Sequence, residues 1–430
     1  TNTVPVVSSV PDTGVNGEIV YITGEGLASY NNGTWSKLTA NIPVIDWSGL
    51  SHQAKIAPSD LVNFDSFGGN VAIDGDTLAI GSQDEGNSSR GKIYVYTRSG
   101  TTWSQQATLI ASDTSRNMRR VIIQGDTIIA GAAGTSVGPG YTLEGAAYVF
   151  TRSGTSWSQQ AKLTASDAEA QDRFGYSIPA MDGNTVAVAA PLEDGSWPNS
   201  KGAVYVFTRS GTSWSQQAKL VASDAAAGDQ FGSAEGRLGL SGDTLVVGAH
   251  KRDEGGTDRG AVYVFTRSGT TWSQQAKITP ASPTDYDNFG HSTDISGDTL
   301  VVGAPGDDDA ATDAGAVYVY TRSGTTWSQQ AKLTGDAASD ALGRDVRIKG
   351  DVIVTGAEGE DTTANYSGAI YVFTRSGTTW TQQVKKKADT PISDTDFGNF
   401  VSLSGNTIVA PAPDENTYKG AVYVLSLIHI

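Results

Sequence analysis

A short segment, TRSGTTW or TRSGTSW, recurs six times in this chain of 430 residues. Each copy is followed by one residue and a Gln-Gln pair, and the spacing between successive copies is nearly constant. A strand-like pattern such as GAVYVF precedes every copy. A nearly fixed period indicates one supersecondary unit per repeat, stabilised by stacking on its neighbours. The repeated tryptophans are Trp103, Trp157, Trp214, Trp272, Trp327 and Trp380.

Each repeat has the pattern of four short strands, and the unit that starts at Phe231 shows it clearly. FGSAEGRLGLSG predicts a first strand, DTLVVGA a buried second, GAVYVFTR a third and TTWSQQAKITP a fourth. The two-residue Gly242-Asp243 turn between apolar runs is typical of a tight hairpin. No stretch has a sustained 3.6-residue apolar period, so the fold class is all-β. Four antiparallel strands per repeat predict a β-propeller blade.

Counting the units predicts seven blades and a closed ring. The last unit contains three strands and lacks the fourth, whereas residues 46–56, DWSGLSHQAKI, match a fourth strand near the start of the chain. The spacing from Trp47 to Trp103 is in step with the spacings between the later tryptophans. We therefore expect this N-terminal strand to complete the last blade, which removes two open sheet edges. The units begin at Phe67, near Asn117, and at Phe174, Phe231, Phe289, Leu342 and Phe397.

The chain divides into three predicted parts. Residues 1–44 form a small β module with a hairpin at Asn32-Gly33, and this module is similar to connector modules of phage tail fibres and other virion proteins. Residues 45–424 form the seven-bladed propeller. Residues 425–430, LSLIHI, break the repeat and equal the translation of a sequencing-library adapter, so we expect them to be a non-native tail.

The Phe-Gly pair that opens most units, and the Gly-Ala or Gly-Ala-Pro that follows the second strand, resemble the FG-GAP repeat family. Gly303-Ala304-Pro305 is the fullest copy of the second motif. That family includes integrin α-subunit propellers and bacterial surface proteins, and the resemblance implies a propeller that binds partners through loops on one face. The integrin-type calcium loop between strands one and two is replaced here by a two-residue Gly-Asp turn, which is too short to enclose Ca²⁺.

The loops differ in chemistry between the two ends of the predicted blades. The turns between strands one and two and between strands three and four are short, and arginines occupy the tips of the latter. The loops between strands two and three, and between one blade and the next, are long and variable and hold most of the 46 acidic residues. Variable loops on a rigid scaffold are where binding residues are usually found. The tip arginines are Arg98, Arg152, Arg209, Arg267, Arg322 and Arg375.

Candidate site residues lie in these acidic loops. Asp307, Asp308, Asp309 and Asp313 form the densest carboxylate cluster, which is either a Ca²⁺ site or a solvated acidic loop. A second cluster, Glu358, Glu360 and Asp361, presents the same alternatives. An isolated loop tryptophan and nearby carboxylates are candidates for contact with a protein or glycan ligand, the alternative being packing against a neighbouring blade. These ligand candidates are Trp197, Glu193, Asp194, Asp253 and Glu254.

Recurrent polar residues have an architectural interpretation. Asp65, Asp172, Asp229, Asp287 and Asp340 each lie two residues before the Phe-Gly position, where a carboxylate can cap a turn by accepting bonds from nearby backbone amides. The four histidines are scattered along the sequence, and no Ser–His–Asp order, metal-binding histidine motif or phosphate loop stands out.

Composition narrows the classes of partner. The formal net charge of −16 disfavours nucleic acid and anionic membranes, no apolar run is long enough to cross a bilayer, and the chain has no cysteine. We expect a non-enzymatic surface propeller, extracellular or on a virion, that binds a protein or glycan through its acidic loops. The alternatives are a glycoside hydrolase or lyase with a carboxylate pair near the central channel, and a purely structural repeat.

Overall fold

The computed structural model describes residues 47–83, 91–113, 117–137, 142–194, 200–233, 236–361, 364–389 and 391–427, together with four backbone strands nearer the N-terminus. The chain divides into two compact units, Thr1–Asp46 and Trp47–Ile430. In the first unit, Val6–Val7 pairs in parallel with Ile19–Ile22, which is followed by the antiparallel strands Gly26–Asn31 and Thr34–Lys37.

The second unit consists of seven four-stranded antiparallel sheets, which we number as blades 1 to 7 from Phe67 onward. The all-β, seven-bladed prediction is confirmed. Blade 1 contains Asn70–Asp74, Thr77–Ser82, Lys92–Ser99 and Thr102–Leu109; blade 2, Met118–Gln124, Thr127–Ala132, Ala146–Ser153 and Ser156–Leu163; blade 3, Ala180–Asp182, Thr185–Ala190, Ala203–Ser210 and Ser213–Leu220; blade 4, Gly239–Ser241, Thr244–Ala249, Ala261–Ser268 and Thr271–Ile278.

The remaining blades follow the same order, and two short helical turns accompany them. Blade 5 contains Thr293–Ser296, Thr299–Ala304, Ala316–Ser323 and Thr326–Thr334; blade 6, Leu342–Lys349, Val352–Ala357, Ala369–Ser376 and Thr379–Lys386; blade 7, Ser402–Ser404, Thr407–Ala412, Ala421–Leu427 and Leu50–Ile56. The helical turns are Trp47–Gly49 and Glu415–Tyr418.

Blade 7 is completed by the strand that the sequence analysis assigned to it. Leu50–Ile56 pairs antiparallel with Ala421–Leu427, with Lys55 opposite Tyr423. The register shifts between Val424 and Leu425, at the same step as in the other blades. The last strand extends beyond Val424, the predicted end of the propeller, and Leu425 is fully buried.

The hydrophobic core lies between blades. In a representative cluster, Phe231 and Tyr263 of blade 4 pack with Ala189 and Val204 of blade 3. The second strand of each blade is buried along nearly its whole length, because both of its faces contact neighbouring sheets. Each blade therefore depends on its neighbours for its core, as the repeat pattern predicted.

Two glycines allow the backbones of blades 4 and 5 to touch. A Cβ at Gly248, at the end of the second strand of blade 4, would lie 1.8 Å from the carbonyl oxygen of Gly290 in blade 5. A Cβ at Gly260, whose φ is +85°, would lie 2.0 Å from the carbonyl oxygen of Phe289. Phe289-Gly290 thus fits against blade 4 only because those two positions lack side chains.

Neighbouring blades are joined at the end that carries the short turns by a repeated set of Arg, Asp, Thr, Trp and Gln side chains, which we call the clasp. Arg267 Nε donates to Asp243 Oδ1 over 2.7 Å within blade 4, and its Nη1 donates to Thr185 Oγ1 of blade 3 over 2.9 Å. The guanidinium stacks 5.2 Å from the Trp272 ring, whose Nε1 donates to Gln217 of blade 3. The six repeated arginines are therefore bridging groups between blades, whereas the sequence indicated only their place at hairpin tips.

Candidate functional site

The two ends of the propeller are distinct because each blade is an antiparallel meander. Turns between strands one and two and between strands three and four lie at one end, the hairpin face. Loops between strands two and three and between successive blades lie at the other end, which we call the loop face. All sequence-predicted site residues that the structure describes belong to the loop face.

Three of the four predicted Ca²⁺ ligands, Asp307, Asp308 and Asp309, contact protein groups through their carboxylates. Asp307 accepts a hydrogen bond from the Tyr318 hydroxyl over 2.7 Å, and its Oδ2 also lies 2.7 Å from Lys332 Nζ. Asp309 pairs with the same lysine at 2.5 Å, while Asp308 accepts from the Asp313 backbone amide. In the described parts of the chain, no group of three or more Asp, Glu or His side chains is arranged to hold a metal ion. Protein contacts therefore hold Asp307 and Asp309 in a structured acidic loop, whereas the stated alternative to a Ca²⁺ site was a solvated one.

The same lysine–tyrosine–carboxylate arrangement recurs around the ring. In blade 4, Lys277 lies 5.8 Å from the centre of the Tyr263 ring, and the lysine and the tyrosine hydroxyl both bind Asp224. Charge partners of this kind lower the pKa of Asp224 against the opposing effect of its burial. Much of the loop-face acidity is thus balanced by lysines of the fourth strands.

The predicted ligand-contact residues belong to separate ion-pair networks in two blades. Glu193 pairs with Lys219, and Asp194 pairs with Lys201 at 2.6 Å, both in blade 3. Glu254 in blade 4 pairs with Arg252 at 3.0 Å and also contacts Lys277. The remaining two candidates are Asp253, which accepts from the Asp258 amide over 3.0 Å, and Trp197, which lies outside the described residues.

The recurrent aspartates are turn caps, as predicted. Asp172 Oδ2 accepts from the Glu169 amide over 2.7 Å, and Asp229 accepts from the Ala226 amide over 2.8 Å. Both carboxylates are almost fully buried, and burial raises the pKa of Asp172 to about 6. Equivalent bonds are formed by Asp65, Asp287 and Asp340.

A cavity of about 560 Å³ opens at the centre of the loop face, and blades 2 to 6 line it. None of the described residues in its wall is Asp or Glu, although the chain carries a net charge of −16. Its volume lies within the usual range of small-molecule sites. The polar wall residues are Asn117, Arg173, Gln230, Lys251, Asn288 and Arg344.

Most of these side chains flank the Phe-Gly pairs. Arg173, Gln230 and Asn288 immediately precede Phe174, Phe231 and Phe289, and each has a left-handed backbone with φ between 51° and 60°. That conformation is unfavourable for residues with a side chain, yet none of the equivalent positions is glycine. Tyr176 and His291 immediately follow the Phe-Gly pairs and complete the wall. Five of the seven blades keep Phe-Gly at this position, while the residues on either side of it vary.

Two histidines that are distant in sequence meet at this cavity. The rings of His250 and His291 are 5.3 Å apart and nearly perpendicular. Burial lowers the pKa of His250 to about 3, with help from the charges of Lys251 and Arg344, and burial also lowers the pKa of His291 well below its usual value. Both imidazoles are therefore neutral at physiological pH.

Hydrogen bonding assigns the protons of this pair. Arg344 Nη1 donates to His291 Nε2 over 3.1 Å, so His291 carries its proton on Nδ1 and donates it to the Arg344 carbonyl oxygen. The Ser233 hydroxyl donates to the His291 carbonyl oxygen over 2.7 Å, so its oxygen accepts a hydrogen bond from His250 Nδ1–H over 3.2 Å. The histidines position neighbouring groups and carry no charge of their own.

The carboxylates at the hairpin-face end of the central channel have a structural role. A smaller cavity of about 250 Å³ on the hairpin face contains Asp74, Asp182 and Asp294. Asp74 accepts from the Gly125 amide, Asp182 from the Gly242 amide and Asp294 from the Ile348 amide, each in the next blade. These three carboxylates therefore hold adjacent blades together.

Comparison with known proteins identifies the repeat. The family model for the FG-GAP repeat matches residues 50–96, 103–150, 157–207, 214–265, 272–320 and 327–373, more than half of the chain. The chain belongs to the FG-GAP repeat family. No curated protein matches it. In this FG-GAP propeller, each matched segment after the first starts at a clasp tryptophan and runs into the third strand of the following blade.

The FG-GAP motif residues are contact residues between blades, and the turn between strands one and two is the tight hairpin that the sequence predicted. Ser241 pairs with Thr244 across Gly242-Asp243. Among the described residues, no helix is long and apolar enough to cross a membrane.

Sequence reasoning missed the cavity residues for a specific reason. The flanking aspartate and the Phe-Gly pair have an architectural interpretation, which draws attention away from the single residue between them. Its signal is variability inside a constant frame, since Asp172-Arg173-Phe174 and Asp229-Gln230-Phe231 differ only at the middle residue.

Proposed function

We propose that this FG-GAP propeller is a non-enzymatic binding module on an extracellular, cell or virion surface, and that its loop face contacts a protein or glycan. One observation carries the proposal. In the described parts of the propeller, every exposed large hydrophobic side chain lies in a loop of the loop face. These residues are Val62, Phe64, Ile110, Val137, Val221, Tyr286, Tyr366, Ile392 and Tyr418.

The aromatic members of this set suit ligand contact. Phe64 and Tyr418 stack with ring centres 5.5 Å apart while both remain about half exposed. Tyr286 and Tyr366 are 58% and 55% exposed. Exposed tyrosine and phenylalanine provide rigid contact area at low entropic cost, and they are enriched where proteins bind partners or sugar rings. A surface used only for solubility would place charges at these positions.

The scaffold supports separate roles for the hairpin face and the loop face. The clasp arginines, tryptophans and glutamines occupy the hairpin face and the interfaces between blades, where they stabilise the ring. The loop face is free to vary in length and composition. Rigid frames that carry variable loops are a common design for recognition.

The enzymatic alternative requires two carboxylates that face one cleft. The described wall of the loop-face cavity contains none, and the aspartates at the opposite mouth hold backbone amides of adjacent blades. The site chemistry therefore supports binding over hydrolysis.

The test is retention of the labelled propeller on arrays of glycans and cell-surface proteins. We expect the double variant Tyr286→Ser and Tyr366→Ser to lose retention roughly tenfold or more, as aromatic contact residues do. Lys349→Ser at the hairpin-face mouth is the control and should bind like the parent protein. Equal retention of both variants would contradict the assignment of the loop face, and turnover of a glycan abolished by one substitution would contradict the non-enzymatic role.

A further inference from the structure

The central cavity of the loop face has a charge opposite to that of the whole molecule. Three cationic side chains, Arg173, Lys251 and Arg344, line it, and no described wall residue is acidic. The neutral histidines add nothing to this charge.

The three cations differ in their existing partners. Lys251 pairs with Asp258 at 2.8 Å and donates to Asn288 Oδ1 over 3.1 Å. Arg344 pairs with Glu358 at 3.1 Å and is oriented by His291. The guanidinium of half-buried Arg173 makes no hydrogen bond or ion pair with any described residue. Two cations are therefore fixed in place, and one keeps its hydrogen-bond donors for a ligand.

The rest of the wall offers both polar and apolar contacts. Asn117 Oδ1 is buried without a hydrogen-bond partner among the described residues, so it is an acceptor awaiting a donor. Gln230 supplies a further amide, and the Tyr176 ring and Pro305 supply apolar surface. Hydroxyl groups beside a partly apolar ring are the matching features of a sugar.

We propose that this cavity binds a sugar residue that carries a carboxylate, such as a uronic or sialic acid at the end of a glycan. The planar guanidinium of Arg173 pairs with the two carboxylate oxygens, because a fork of donors matches that geometry. Lys251 and Arg344 add attraction at longer range, and Asn117 and Gln230 bind hydroxyls. The inference rests on the proposed binding function and names a ligand class for the loop face.

Carboxylate fits this site better than phosphate. Phosphate is commonly held by several free backbone amides arranged around it. Here the amides next to the cavity are already used, since Asn288 N donates to Asp258 O over 3.0 Å and Arg173 N donates to Leu143 O over 3.3 Å. Recognition depends on side chains, and a single available guanidinium suits a planar monoanion.

The experiment is calorimetric or NMR titration of the full chain with glucuronic, galacturonic and N-acetylneuraminic acids. Glucose and galactose are the neutral comparisons, and glucose 6-phosphate is the phosphate comparison. We expect saturable binding of at least one acidic sugar, weakened by added salt because charges attract it. Arg173→Gln should weaken that binding roughly 10- to 100-fold, and Arg173→Lys should retain part of it.

The matched control is Arg259→Gln, which removes another loop-face arginine that lies outside the cavity and pairs with Asp285. It should leave acidic-sugar binding unchanged. Equal affinity for acidic and neutral sugars, preference for the phosphate, or insensitivity to Arg173→Gln would each overturn the inference. Array retention that depends on Tyr286 and Tyr366 without any acidic-sugar binding would overturn this inference alone and leave the proposed function standing.

Discussion

Arg237 and Asp345 form an ion pair across the channel between blades 4 and 6, and both side chains are 1% exposed. Arg237 donates from Nε and Nη2 to the two carboxylate oxygens at 3.2 and 3.1 Å. Asp345 also accepts from the Ser292 hydroxyl over 3.0 Å and from the Val401 amide over 2.9 Å. Removing one member of such a pair leaves a buried charge, which costs about 3–5 kcal/mol.

The surroundings rank the two single substitutions. In Arg237→Met, Asp345 keeps its hydroxyl and amide donors, so we expect a loss near the lower limit, about 3 kcal/mol of unfolding free energy. In Asp345→Leu, the guanidinium keeps only a 3.4 Å contact with the Val401 carbonyl oxygen, so the loss should approach about 5 kcal/mol. The double variant buries no charge and should lose only about 2 kcal/mol, from two neutral hydrogen bonds.

Urea denaturation followed by tryptophan fluorescence measures these losses. Lys201→Met, which breaks an exposed ion pair with Asp194, serves as the control and should leave the midpoint unchanged. The decisive comparison is the double variant, which should be more stable than either single variant. A double variant as unstable as the sum of the two singles would refute the reasoning that uncompensated buried charge dominates.

Three further outcomes follow from the blade interfaces. Trp214→Phe should lose about 1 kcal/mol of unfolding free energy because the Trp214 indole N–H donates to Gln160, and the urea midpoint measures this loss. Deleting Leu50–Ile56 should lower the thermal midpoint and expose blade 7 to proteolysis, and an unchanged midpoint would contradict ring closure. Burial and the charge of Asp396 raise the pKa of Asp414 to about 7, so the native state retains a proton that the unfolded state releases, and stability falls as pH rises from about 4 to 7. In thermal melts, the melting temperature of Asp414→Asn relative to that of the parent protein should therefore rise between about pH 4 and 7 and stay constant above pH 7.

The ring architecture was predictable because the same four-strand pattern repeats along the sequence at a nearly constant spacing. The spacing of Trp47 from Trp103 placed the closing strand in register, although the indole of Trp47 itself lacks the glutamine bond that the other clasp tryptophans make. The role of the arginines was not predicted. The sequence does contain a sign of it, since an arginine equivalent to Arg267 recurs in blades 1 to 6 with equivalents of Asp243 and Thr185, and Asn184 takes the place of the aspartate in blade 3.

The cavity was harder to predict because its residues do not repeat. His250 follows the second strand of one blade and His291 precedes the first strand of the next, so their separation in sequence matches no repeat period. The close approach of Gly248 to Gly290 and the contacts of Ser233 with both histidines bring those two positions together. Conversely, the acidic cluster at Asp307 stands out in sequence, yet its charge is balanced by Lys332, which lies in the fourth strand of the same blade.

Closure by Leu50–Ile56 sets a timetable for biosynthesis. Its partner strand, Ala421–Leu427, is translated only after six complete blades, and at about 5–20 residues per second the delay amounts to roughly half a minute. Throughout that interval Leu50–Ile56 has no partner strand, and the most recently completed blade exposes the face that packs against the next blade. Leu50–Ile56 must therefore be kept from pairing with other chains until Ala421–Leu427 leaves the ribosome.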